Sequence, residues 1–361
     1  MRRSSAHVYV IAEAGVNHNG SLKRALQLVD AAADAGADAV KFQTFRAEDL
    51  ASGTAPKAQY QKKATGSSGS QLAMLKKLEL SPAAHRTLIA RCRRRRIDFL
   101  SSPFDEASLR LLTDTFRLPV LKIPSGEITN GPLLLQAART GRRIILSTGM
   151  STLAEIEAAL GVLAFGLSGA RLAPSRKSFA RAYRSAAGRR QLRRKVVVLH
   201  CVTDYPTPFK DVHLRAMHAL RDAFDLPVGF SDHSLGIAVP IAAAALGACV
   251  IEKHVTLDRA LPGPDHRASL EPEELAAMVS GVRQVELSLG KEAKVPGAAE
   301  LRNIKPARKS LVAARDIARG EIYSASNVVA KRPAGGRSPL DFWDIAGRRA
   351  PRDYRKNEPI R

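Results

Sequence analysis

The chain has 361 residues, 45% of them apolar, and a net charge of +23. That length suits a large α/β domain with a small one beside it. No apolar run approaches the roughly 18 residues of a membrane span, and MRRSSAHVYV lacks a secretory apolar region, so a cytoplasmic protein is expected.

Cys92, Cys201 and Cys249 are odd in number and show no CxxC spacing, so neither a disulfide framework nor a zinc knuckle is indicated. The basic excess is concentrated in Arg91 to Arg96, in 171–195 (ten basic residues, no acid) and in 302–361. No recognition motif or interleaved aromatics accompany these runs. Solvated surface is therefore expected rather than a nucleic-acid interface, and attraction of an anionic substrate stays open.

In chain order, VYVIAE is a β-rich run, and SLKRALQLVDAAADAG has apolar residues at helical spacing and Gly36 as a stop. ADAVKFQTF is the second strand. The polar stretch 46–70, ending in GSSGS, reads as a long loop. Helical material runs from Gln71 to Arg95, interrupted at Ser81-Pro82, where proline suits a helix start. IDFLSSPF, LPVLKIPSGE and RRIILSTGM give three more strands, with helices EASLRLLTDT and PLLLQAARTG between them. Thr152 and Glu155 form a capping box for LAEIEAALGVLAFG. The basic segment then looks like an insertion before the sixth strand, KVVVLHC. HLRAMHALRDAF, LPVGF, a helix over 236–247, ACVIEKH and the helix EPEELAAMVSGVRQVELSL complete the pattern.

These are eight strand–helix units whose strands are continuous apolar runs, as in a parallel sheet covered on both faces. They predict an α/β fold, a (β/α)8 TIM barrel over 1–288. An open doubly wound sheet is the alternative, but no Gly-rich dinucleotide fingerprint follows the first strand. Residues 289–301 read as a linker, and 302–361 as a small second domain.

A barrel puts its active site at the carboxyl ends of its strands. Those ends carry Glu13, Lys41 with Gln43, Ser101 with Ser102, Lys122 with Ser125 and Glu127, Ser147, His200, Ser231 with His233, and Glu252 with His254. His233 and His254 fall on neighbouring strands and are candidate metal ligands, with Asp265 or His266 as a third ligand or water-orienting group. Imidazole and oxygen ligands suit Mn²⁺, Zn²⁺ or Fe²⁺. Lys41 and Lys122 read as buried ion-paired lysines, as phosphate binders, or as imine formers. Glu13 and Glu127 read as acid/base groups, hydroxyl binders, or salt-bridge partners of those lysines. His200 is expected to pack under the site.

The ordered motifs IAEAGVNHNG, DAVKFQTF, FLSSPFD, LKIPSGEITN, ILSTGM, LHCVTDYPTP, GFSDHS, IEKHVTLD and PGPDH resemble the sialic acid synthase family. That family includes N-acetylneuraminate synthase and its legionaminate and pseudaminate relatives. The tail, KSLVAARDIARGEI and VAKRPAGG, resembles its antifreeze-like (SAF) domain. The resemblance implies condensation of phosphoenolpyruvate with the aldehyde of an N-acylated amino sugar to a nine-carbon 2-keto acid. It implies a divalent metal, Mn²⁺ first, with Mg²⁺ or Co²⁺ as alternatives, on His233 and His254. Lys41, Ser102, Lys122, Ser125, Ser147 and Ser231 would hold phosphoenolpyruvate. Gln43, Glu127 and Tyr205 would bind the sugar. Glu13 and Asp265 would act catalytically, Asp265 as the PGPD acid near the metal. A domain-swapped homodimer is implied, with Arg332 of the KRP motif reaching the partner's sugar site. The chain departs from the family pattern at Ser102 and Ser234, where Thr is common, and at Thr203 and Asp204, where some members place Asn. A Schiff-base aldolase on the same barrel is the alternative function.

Overall fold

The computed structural model describes residues 7–59, 61–62, 70–170 and 172–361. Eight parallel strands form one sheet: β1 Tyr9–Gly15, β2 Ala39–Thr44, β3 Asp98–Pro103, β4 Val120–Ile123, β5 Arg143–Ser147, β6 Val196–Cys201, β7 Val228–Asp232 and β8 Val250–His254. Their order is β3-β2-β1-β8-β7-β6-β5-β4. The ring is thus laddered everywhere except between β3 and β4, which lie side by side. This bears out the expected TIM-type barrel.

The two-residue side-chain period of a strand divides the barrel into an inside and an outside. Ile11, Ala39, Leu100, Ile145, Leu199 and Val250 form a separate apolar cluster. Their strand neighbours Val10, Val40, Phe42, Ile144, Val198 and Ile251 pack in the large cluster shared with the helices. The inner cluster is tightly filled: a Cβ on Gly229 would come within 2.5 Å of Val250 O and 2.6 Å of Leu199 Cδ2. Two residues further along these strands the inward positions become polar, Cys201 on β6 excepted. The interior is therefore an apolar plug capped by a polar layer at the carboxyl ends.

The capping box at Thr152 is present: Glu155 N donates to Thr152 Oγ1 (3.3 Å) and Thr152 N to Glu155 Oε2 (2.8 Å). The helix Leu153–Leu167 follows. Three local differences from expectation stand out. A short helix, Ala47–Leu50, lies within the expected loop; residues 60 and 63–69 of that loop, with most of GSSGS, fall outside the described residues. The helix starting at Glu106 passes into a π turn, Leu111–Thr115, where Thr113 Oγ1 donates to Leu109 O (3.0 Å). The basic insertion contains two helices, Arg176–Arg184 and Ala186–Lys195. Phe179 packs edge-on against Phe165 at 5.2 Å, and Lys195 donates to Gly141 O at the amino end of the barrel, away from the polar layer.

The chain divides at Gly290/Lys291 into two compact units. The second contains a helix, Ala298–Ala307, which spans the expected linker–domain junction, and an antiparallel pair, β9 Ser310–Ala313 and β10 Val328–Lys331. Its own core includes Leu311, Ala313, Ile317, Tyr323, Val328 and Tyr354. Among the described residues no helix is long and apolar enough to cross a membrane.

Candidate active site

The polar layer opens into a cavity of about 410 Å³. Glu13, Lys41, Gln43, Ser102, Lys122, Ser125, Glu127, Ser147, Tyr205, Ser231, His233, His254 and Asp265 all line it.

Its floor is a charge cluster. Lys41 Nζ lies 2.6 Å from Glu13 Oε2 and 3.7 Å from Glu252 Oε2, and donates to Ser102 Oγ (3.2 Å). Lys122 Nζ lies 3.2 Å from Glu252 Oε1, and Ser231 Oγ donates to the same oxygen (2.9 Å). Burial pushes the Glu252 carboxyl upward, but Lys122 and Lys41 outweigh it and hold it at about 2. Burial dominates at Glu13, which rises to about 7 although Lys41 opposes the shift. Burial also lowers Lys122, whereas at Lys41 it is overcome by Glu13 and Glu252, which raise that lysine.

Beside the floor, the His233 and His254 rings lie 5.5 Å apart, with the Tyr205 ring 4.0 Å from His233. Burial holds His233 down at about 4 and His254 well below its ordinary value, so both are neutral. His233 Nδ1 donates to Val202 O (2.6 Å), which leaves Nε2 with the lone pair. The buried Nδ1 of His254 has no hydrogen-bond partner, and Asp265 Oδ2 is 4.0 Å away. Two neutral imidazoles, one orphaned and one fixed in tautomer by a backbone carbonyl, fit a divalent cation held by two protein nitrogens with open positions left for other ligands. Among the described residues no group of three or more His, Cys, Asp or Glu is close enough to form a larger cage. Burial raises Asp265 to about 6 against the pull of Lys41.

Around the rim, Gln43 Nε2 reaches Glu13 Oε1 at 3.5 Å, and Asn130 Nδ2 donates to Glu127 Oε2 (2.7 Å). Burial raises the Glu127 carboxyl. Ser125 Oγ accepts from Gly149 N (2.9 Å) and lies 3.1 Å from Cys201 Sγ, while buried Ser147 Oγ has no partner. His200 is occupied, its Nε2 donating to Val212 O (2.8 Å). Arg332 is exposed and belongs to the second unit.

Residues 28–294 match the NeuB family model, and residues 308–361 match that of the SAF domain. The chain belongs to the NeuB family. It is 48% identical over 352 residues to an N,N'-diacetyllegionaminic acid synthase of Campylobacter jejuni, covering 98% of each chain. It is 43% identical to the protein of the same name from Legionella pneumophila, covering 96% of this chain and 92% of that one. Among solved structures, the N-acetylneuraminic acid (sialic acid) synthetase of Leptospira borgpetersenii in complex with citrate aligns with a TM-score of 0.67. Identity there is 34%, covering 83% of this chain and 91% of that one. The family resemblance drawn from the motifs is thereby borne out.

In this NeuB chain the residue that strand-end reading undervalued is Glu252. It stands at a strand end with no role implied by the motifs, yet both lysines converge on it. The signal was present in IEKH: Glu252 stands two residues before His254 and so shares its face. The Val202 carbonyl that fixes His233 carries no such signal, because only the folded backbone brings it to the site.

Proposed function

We propose that this protein condenses phosphoenolpyruvate with the open-chain aldehyde of a 2,4-diacetamido hexosamine. The product is a nine-carbon 2-keto acid of the legionaminate type. Carbon 3 of phosphoenolpyruvate bonds to the aldehyde carbon, water adds at carbon 2, and phosphate leaves with cleavage of its C–O bond. The reaction class is that of a sialic acid/legionaminic acid synthase-type enzyme of the NeuB family. The observation that carries it is the meeting, in one cavity, of a lysine- and serine-rich floor with two neutral imidazoles. The choice of a diacetamido sugar rests on the two legionaminic acid synthase relatives. The apolar side of the cavity, with Val16, Leu50, Met74, Leu75 and Phe104, suits acetamido methyls and a deoxygenated carbon.

In this reading Lys41, Lys122, Ser102, Ser125, Ser147 and Ser231 bind the phosphate and carboxylate of phosphoenolpyruvate. Glu13, beside Lys41, handles a proton or aligns the attacking water. Gln43, Glu127 and Tyr205 hold sugar hydroxyls. Asp265 orients a group beside the imidazoles. His233 and His254 hold a divalent cation, Mn²⁺ with Mg²⁺ or Co²⁺ as alternatives. Such a cation supplies Lewis-acid polarisation of a bound aldehyde oxygen.

The active form in this reading is a domain-swapped homodimer in which Arg332 reaches the partner's sugar. Exposed Leu340 and Trp343 on the second unit, 82% and 77% accessible, support an interface there. Phosphate release from phosphoenolpyruvate with Mn²⁺ and a panel of sugars tests the assignment. Turnover is expected with the 2,4-diacetamido-trideoxyhexose over N-acetylmannosamine or its 6-phosphate. Release with none of them, or an imine with pyruvate trapped by borohydride, would replace this reading with the Schiff-base alternative or another chemistry. Deleting residues 302–361 is expected to abolish activity.

A further inference from the structure

Between β7 and β8 lies an ion pair that does not line the cavity. Asp232 and Lys253 are direct cross-strand partners. The strand period turns Ser231 and His233, and Glu252 and His254, toward the cavity, so Asp232 and Lys253 face the helical layer. Their side chains are 0% exposed, and Lys253 Nζ lies 2.6 Å from Asp232 Oδ2. Lys253 Nζ also donates to Ser234 O. Asp232 Oδ1 accepts from Ser234 N (2.9 Å) and Ser234 Oγ (2.8 Å). The neighbouring outward positions, Phe230 and Ile251, are apolar core.

A fully buried ion pair is a poor way to gain stability, because desolvating both charges offsets their attraction, and apolar residues of similar volume often serve as well. Its directional bonds do something apolar contacts cannot. They tie the residues on both sides of His233 to the residue immediately before His254, across the one strand junction that carries both imidazoles. A shift of either strand end would stretch several charge-assisted bonds at once.

We propose that Asp232 and Lys253 are positioning residues that set the separation and direction of the His233 and His254 rings, and thereby the affinity of the site for its cation. The proposal rests on the reading of those histidines as cation ligands. Neither residue touches substrate, so their loss acts through the imidazoles and leaves the lysine floor in place.

The test is Mn²⁺ titration of the substrate-free, full-length protein, read as free Mn²⁺ by electron paramagnetic resonance, alongside thermal unfolding. In Asp232→Asn/Lys253→Met both charges go while an oxygen remains for Ser234. A folded double variant is expected to bind Mn²⁺ about tenfold more weakly, as for other outer-shell changes at metal sites. Its kcat at fixed Mn²⁺ should fall while KM for phosphoenolpyruvate stays unchanged. Lys253→Arg, which keeps the cation, should recover most of the affinity. Mn²⁺ affinity within twofold of the parent in the folded double variant would overturn the proposal. If the double variant does not fold, Ser234→Ala, which removes one bond and leaves the charges paired, decides the matter by the same criterion, with a several-fold loss expected. His233→Ala separates the two readings. Parent-like Mn²⁺ binding in His233→Ala removes the ligand assignment itself. Loss of binding there, with parent affinity in the double variant, removes only the role of the pair.

Discussion

Lys122 Nζ sits 3.2 Å from Glu252 Oε1 inside a barrel layer where both side chains are at most 5% exposed. Lys41 approaches the other oxygen of the same carboxylate at 3.7 Å. Glu252 therefore lies between two ammonium groups on the floor of the cavity. Glu252→Gln preserves shape and an acceptor for Ser231 but leaves the lysines under-compensated. Breaking a buried pair in this way costs about 3 kcal/mol. The expected outcome is a lower Tm without ligand, and a larger upward shift on adding phosphate than the parent shows. Equal ligand-free Tm values would mean the pairing carries little.

Metal removal should separate the imidazoles from the lysine floor. After dialysis against EDTA, phosphate release is expected to disappear and to return with Mn²⁺, while binding of phosphoenolpyruvate persists at reduced strength. His254→Ala should bind no Mn²⁺ and show no turnover at any Mn²⁺ concentration. Full activity of that variant would refute the ligand assignment.

Gly149 occupies a crowded corner of the cavity. An added Cβ would stand 2.3 Å from Thr203 Oγ1 and 2.9 Å from both Cys201 Sγ and Ser125 Oγ. Gly149→Ala must therefore displace Ser125, whose hydroxyl accepts the Gly149 N–H. Overpacking of this kind costs about 1–3 kcal/mol, here concentrated on a serine that lines the cavity. A rise of about tenfold in KM for phosphoenolpyruvate is expected, since 1.4 kcal/mol is a factor of ten. An unchanged KM would place the phosphate elsewhere.

At the amino end of the barrel, Asp38 ties the first strand to Arg283 and His7. It accepts from Val10 N (2.9 Å) and Arg283 Nη2 (2.6 Å), and its other oxygen meets His7 Nε2 (2.9 Å). Burial pushes its carboxyl up, but these donors outweigh burial and hold it below the ordinary value of 3.8. A carboxyl depressed in the folded state stabilises the protein above its unfolded value, and the gain is lost as pH falls through the folded one. Asp38→Asn should thus cost about 1 kcal/mol near neutrality, allowing for partial solvent screening. The Tm gap between variant and parent should close below about pH 4, the usual carboxylate range. A gap independent of pH would show the contribution to be steric.

Both the barrel and its mouth were legible because a strand repeats every two residues. Apolar runs ending in Glu, Lys, Ser or His announce which side chains share a face. Lys41, Lys122 and His233 could be placed at one end from that alone. Asp232 and Lys253 were invisible as a pair, since the cross-strand register that joins them is a property of the assembled sheet. The helices Arg176–Arg184 and Ala186–Lys195 were hidden by their many arginines, which dilute the apolar stripe to a few residues such as Phe179, Tyr183 and Leu192. The helix Ala298–Ala307, which has no buried residue, offered even less of a stripe.

The junction between β3 and β4 is the one place in the barrel that no backbone ladder closes among the described residues. Ser102 stands on one side of it and Lys122 on the other. Elsewhere adjacent strands are joined by backbone hydrogen bonds, whereas here the two strands lie side by side without a ladder. An anion bridging Ser102 and Lys122 would act as a stitch across that junction, so substrate occupancy would register as slower amide exchange along Val120–Ile123.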